Sequence, residues 1–126
     1  MRLPIAVRYS DYDTKGHINN ALYLTYFEMA RERAWLEGVK GPADFPFVVA
    51  EAQIKYLSEG MIGDPIDIEI RTTEVRNKAW VWTYVIRRRD DDRVVAEGST
   101  VQVMFDYETR KSIAIPDEIR AGLGLV

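Results

Sequence analysis

Apolar and polar positions divide the chain into one helical stretch and five extended ones. Leu3 to Tyr9 is a short apolar run of strand type. From about Asn19 to Glu37 the pattern becomes helical: Ile18, Leu22, Tyr26, Met29 and Leu36 form one stripe, interrupted at Arg33, with Tyr23, Phe27, Ala30 and Ala34 beside it. So broad an apolar sector predicts a helix largely wrapped by other structure. Asn19 or Asn20 can cap its start, and Gly38 followed by Gly41-Pro42 predicts its end. Four long strand-like runs follow, Phe45 to Leu57, Asp64 to Val75, Ala79 to Arg89 and Arg93 to Asp106. Turn signals separate them at Glu59-Gly60, Gly63-Asp64, Arg76-Asn77-Lys78 and Asp90-Asp91-Asp92. Consecutive strands joined by tight turns make an antiparallel sheet. Runs this long predict strong curvature, and a single helix of about 19 residues is the object for the sheet to curve around. The expected class is α+β, in one domain covering residues 1–126.

One helix cannot cover both faces of that sheet. Between Ala79 and Ile86, Ala79, Val81 and Val85 point one way, with Thr83 between them, and Trp80, Trp82, Tyr84 and Ile86 point the other. An apolar second face predicts a homo-oligomer, a dimer or tetramer in which another copy covers a sheet face or extends a sheet edge. The alternative cover is the segment Pro116 to Leu123, which is short for the task.

Composition narrows the function classes. With 17 basic and 20 acidic residues, the chain lacks the positive surplus of a nucleic-acid binder. The absence of cysteine removes disulfides, thiol nucleophiles and thiolate metal sites, and a single histidine rules out a two-histidine metal site within one chain. No signal-peptide core and no apolar run of membrane-spanning length occur, so a soluble, cytoplasmic setting is expected. There is no Gly-x-Ser-x-Gly elbow, no phosphate loop and no dinucleotide fingerprint.

The chemistry concentrates at the strand-to-helix junction, Arg8 to Asn20. Asp13 precedes a glycine turn at Gly16, and His17 stands in the same junction. Helix starts present unpaired N–H groups and a partial positive charge. A carboxylate beside them can attack a carbonyl, or activate water to do so, while the amides hold the oxyanion. The competing possibility for Asp13 is a turn residue bonding local backbone. Asp11, two residues earlier, would repel Asp13 unless the two side chains diverge. His17 can orient substrate, transfer a proton or make a structural hydrogen bond. Tyr23, Tyr26 and Phe27 are wall residues of any acyl pocket, compatible with aryl or fatty groups, and Glu28 is a solvated or subunit-contacting position. The cluster Arg87-Arg88-Arg89, with Lys55, Arg76 and Lys78, can receive phosphates of a nucleotide-containing carrier or form a solvated hairpin end.

The pattern Asp11-x-Asp13-x-x-Gly16-His17-x-Asn19-Asn20, followed by Tyr23 and Tyr26-Phe27-Glu28, resembles the 4-hydroxybenzoyl-CoA thioesterase-like branch of the hotdog-fold superfamily. Tyr56 and the Gly63-Asp64 turn agree with it as well. The resemblance implies a five-stranded curved antiparallel sheet wrapped around one central helix, dimers and often tetramers, and hydrolysis of acyl-CoA thioesters. It implies Asp13 as the catalytic carboxylate, the Asn20 backbone N–H as the donor that polarises the carbonyl, and Gly16 as the residue shaping the turn. It requires no metal or redox cofactor, and acyl-carrier-protein thioesters are further substrates it allows. The rival functions are a non-catalytic acyl-binding module and a hydratase or dehydratase using Asp13 and His17.

Overall fold

A computed structural model describes all 126 residues. Strand β1 (Arg2–Ile5) leads through a 3-10 turn at Tyr9–Asp11 to helix α1 (Leu22–Arg33), which continues as a π-helical turn over Ala34–Val39. Strands β2 (Phe47–Tyr56), β3 (Ile66–Val75), β4 (Ala79–Arg88) and β5 (Arg93–Asp106) follow, then a two-residue strand β6 (Lys111–Ser112) and helix α2 (Asp117–Leu123). The main path of the sheet is β1-β3-β4-β5-β2, antiparallel at every pairing, with β6 added on β5. Register shifts between Val49 and Glu51 and between Thr72 and Glu74 insert bulges that bend the strands around α1. This is the expected curved sheet around a central helix.

Side-chain alternation places the core. On β4, Trp80, Trp82, Tyr84 and Ile86 all face α1 and are fully buried, while Val81, Thr83 and Val85 on the outer face are half-buried. Phe27 stacks on Tyr84 with ring centroids 4.2 Å apart. That close approach requires Gly98, because a Cβ there would lie 2.8 Å from the Phe27 ring. Trp35 stacks on Trp80 and donates its indole N–H to the Pro42 carbonyl at 2.7 Å.

Several sequence expectations shift. The first strand stops at Ile5 rather than Tyr9, because the Asp11 carboxylate draws the Arg8 N–H and turns the chain. The regular helix begins at Leu22 rather than Asn19, because Asn19 and Asn20 spend their oxygens on the N–H groups of the first turn. Its buried face centres on Tyr23, Phe27, Ala30 and Ala34, whereas Met29 and Leu36 of the expected stripe are 46% and 39% exposed. Small Ala30 and Ala34 let the helix settle on the aromatic rings of β4, which turns the longer aliphatic residues outward. The end also differs: Gly38 lies inside the π turn and Lys40, at φ 58°, closes it. The C-terminal segment does not cover the outer sheet face; Ile115, Ile119 and Leu123 join the core beside the π turn.

Candidate active site

The junction folds as a small antiparallel ribbon. The Asp13 N–H donates to the His17 carbonyl at 2.7 Å and the Gly16 N–H to the Asp13 carbonyl at 3.1 Å, closing a turn in which Gly16 takes φ +77°. Glycine enters that left-handed region without the penalty of a side chain. A second layer comes from the loop after β2: the Ile18 N–H donates to the Gly60 carbonyl at 2.7 Å and the Ile62 N–H to the Gly16 carbonyl at 2.8 Å. Tyr12 thus pairs with Ile18, and His17 with Met61.

Asp13 is exposed, and only one of its oxygens is spent on the turn. Oδ1 accepts the N–H groups of Lys15 at 2.9 Å and His17 at 3.1 Å, while Oδ2 bonds nothing in the chain. The amides of His17 and Lys15 hold its carboxyl below the ordinary carboxylate range, so it is ionised at neutral pH. Both readings of Asp13, turn residue and available carboxylate, are therefore compatible with one side chain.

The helix entry supplies the complementary group. The Asn19 N–H donates to the Asp11 carbonyl at 2.9 Å, the Ala21 N–H to Asn19 Oδ1 at 3.1 Å, the Leu22 N–H to the Asn19 carbonyl at 2.9 Å and the Tyr23 N–H to the Asn20 carbonyl at 3.4 Å. The Asn20 N–H alone in this run has no acceptor within the chain. Its carbonyl is held in addition by the Tyr56 hydroxyl at 3.1 Å.

Asp13, His17, Asn20, Tyr23, Tyr56 and Glu59 line one cleft of about 640 Å³. His17 Nε2 lies 3.4 Å from Glu59 Oε2. Burial pushes the Tyr23 hydroxyl up to about 12 against an opposing backbone contact from Gly60, so it keeps its proton at neutral pH. Tyr26 and Phe27 do not line the cleft. Phe27 is fully buried against Tyr84, and Tyr26, 1% exposed, donates its hydroxyl to Asp11 Oδ2 at 2.9 Å.

Asp11 and Asp13 diverge, as their like charge requires. Asp11 points inward at 1% exposure; burial acts to raise its carboxyl, but hydrogen bonds from Arg8 and Tyr26 outweigh that and hold it low. The three arginines at the end of β4 and just beyond it all meet carboxylates: Arg87 faces Asp92 at 3.8 Å, Arg88 bonds Asp91 at 2.9 Å and Arg89 bonds Asp67 at 2.7 Å. Their charge is largely balanced locally, which leaves little to draw a phosphate. No group of three or more His, Cys, Asp or Glu side chains is placed to hold a metal ion. Sequence reasoning did not anticipate the opposite wall, Tyr56 to Gly60, nor the inward course of Asp11. The first joins positions some forty residues apart, and no local signal announces that pairing.

Comparison with known proteins agrees with this architecture. The model of the thioesterase-like superfamily matches residues 7–123. The long-chain acyl-CoA thioesterase FadM of Escherichia coli K12 is 29% identical, with 98% of this chain and 96% of FadM aligned. The acyl-CoA thioester hydrolase YbgC of Escherichia coli O6:H1 is 25% identical over 95% of this chain and 92% of its own length. A thioesterase of Thermus thermophilus, solved with coenzyme A and zinc, superposes with a TM-score of 0.86 at 27% identity, covering 97% of this chain and 90% of the other. The chain belongs to the thioesterase-like superfamily and is a hotdog-fold thioester hydrolase.

Proposed function

We propose that the protein hydrolyses acyl-CoA thioesters, with Asp13 as the reacting carboxylate and the Asn20 backbone N–H as the oxyanion donor. The observation that carries this is that one cleft is lined both by Asp13, whose ionised Oδ2 is free of bonds within the chain, and by Asn20, whose N–H has no acceptor. In the reaction Oδ2 either adds to the thioester carbonyl or takes a proton from the water that adds. Negative charge then develops on the carbonyl oxygen, where a preorganised donor is worth about 10²–10³ in rate. Collapse of the tetrahedral centre breaks the C–S bond and releases the thiolate. In the water route the proton on Asp13 passes to that thiolate and the free acid leaves; in the direct route the acyl group remains on Asp13 as an anhydride, which water then hydrolyses to the free acid and the original carboxylate. Tyr23 and Tyr56 form the aromatic wall for the acyl group. The names of the relatives support acyl-CoA as the carrier; acyl-carrier-protein thioesters present the same reacting atoms.

The unpaired edge of β2 and the exposed Leu24 and Met29 of α1 favour a homo-oligomer in which a second copy extends the sheet. Asp13→Asn tests the chemistry cleanly. The amide oxygen still accepts from Lys15 and His17, so the turn persists, but the anionic oxygen is gone. Folded Asp13→Asn is expected to release thiol from acyl-CoA at least about 10²-fold more slowly. Wild-type turnover by that variant rejects the mechanism.

A further inference from the structure

Asp13 and Asn20 stand on different pieces of backbone, a turn and a helix entry, and of the six residues between them only Ile18 is buried. The backbone bonds of the turn shape it and tie it to the loop after β2; a buried side chain also ties it to the helix from beneath. Asp11 does this with both of its carboxylate oxygens. Oδ1 accepts from Arg8 Nε at 3.0 Å and lies 2.9 Å from Arg8 Nη2, and Oδ2 accepts the Arg8 backbone N–H at 3.1 Å and the Tyr26 hydroxyl at 2.9 Å. Its own carbonyl accepts the Asn19 N–H at 2.9 Å, one residue before the free amide. A single buried residue, two positions before Asp13, is thus bonded to the second turn of α1 and to the residue preceding Asn20.

A purely structural ion pair does not explain this arrangement well. Burying a carboxylate costs more than an isolated pair returns, and the Arg8 side chain is 69% exposed, so the ion pair is open to solvent on one side. The buried part of the arrangement is the bond to the helix. We propose that Asp11 is a positioning residue for the thioesterase reaction, registering the Asp13 turn against the start of α1 through Tyr26. Tyr26 accordingly serves the site from below and not as a wall of the acyl pocket. This rests on the roles given to Asp13 and Asn20 above.

The test measures kcat and KM for an acyl-CoA substrate in Tyr26→Phe, Asp11→Asn and the double variant, with Asp13→Asn alongside. Tyr26→Phe removes one hydroxyl from a packed ring and is the deciding variant should Asp11→Asn not fold. Misplacement by about 1 Å costs on the order of 10²-fold in rate. The expected result is therefore a fall in kcat of about 10- to 100-fold with KM changed less than about twofold. The double variant should be no slower than the slower single one, because both break the same link. A folded Tyr26→Phe with wild-type kcat, a loss confined to KM, or singles that multiply in the double variant overturns the inference. If Asp13→Asn is inactive while Tyr26→Phe is unaffected, only the positioning role falls. If Asp13→Asn is fully active, the proposed function falls and this inference with it.

Discussion

Gly16→Ala separates the stability of the Asp13 turn from the chemistry proposed for it. Gly16 sits at φ +77°, and a Cβ built there lies 3.6 Å from Ile62 Cγ2, an ordinary contact. Sterics with neighbours therefore cost nothing, and the whole penalty is conformational. An L-residue in the left-handed region costs roughly 1–2 kcal/mol, partly offset by about 0.4–1 kcal/mol because alanine stiffens the unfolded chain. The net loss is about 1 kcal/mol, which for a domain of this size lowers the melting temperature by about 3–6 °C. The turn is closed by the Asp13–His17 and Gly16–Asp13 backbone bonds and fastened to Ile62, so it keeps its shape and passes the strain to global stability. Thermal melts followed by circular dichroism, paired with thiol-release kinetics well below the transition, should show that drop with kcat reduced less than about tenfold. An unchanged melting temperature would mean the backbone strain is absent. A collapse of kcat without loss of stability would mean that the turn yields and that its bonds do not hold Asp13.

Phe27→Ala empties the space between α1 and Tyr84 and should cost about 3–5 kcal/mol in urea unfolding; a loss below about 1 kcal/mol would contradict the tight packing over Gly98. Asp11 has a carboxyl held below its unfolded value, so its contribution is fully present above about pH 4 and disappears as pH falls through the lower, folded value. Urea midpoints measured from pH 6 down to pH 3 should therefore fall more steeply in the wild type than in Asp11→Asn, and identical slopes would count against the hydrogen bonds described.

Much of the fold was legible because its signals are periodic. Alternation along Ala79 to Ile86 marks both sheet faces, and the Arg76-Asn77-Lys78 and Asp90-Asp91-Asp92 turns mark two hairpins. The helix face was harder. Met29 and Leu36 carry larger apolar side chains than Ala30 and Ala34, so hydrophobicity weights the wrong stripe, whereas the helix buries the face that carries Phe27 and the two small residues. The π turn that buries Trp35 has no signature in the spacing. At the site, Asp13, Gly16, His17 and Asn20 were legible because they are neighbours in sequence and share one cleft apart from Gly16, which shapes its rim. Tyr56 and Glu59 were not, because they stand at the end of β2 and in the loop after it, which meets the junction through the Ile18–Gly60 and Ile62–Gly16 bonds. Nor was the polar partner of Tyr26: an aromatic residue on an apolar stripe looks like wall or core, and only its hydroxyl bond to Asp11 distinguishes it.

The most direct measurement is a crystal structure with an acyl-CoA analogue in which the scissile sulfur is separated from the carbonyl by a methylene group, leaving the carbonyl intact and uncleavable. The carbonyl oxygen should lie about 2.7–3.1 Å from the Asn20 nitrogen, with Asp13 Oδ2 about 3–3.5 Å from the carbonyl carbon or bridged to it by one water. A carbonyl bound away from Asn20, with Asp13 Oδ2 facing solvent, would contradict the assignment.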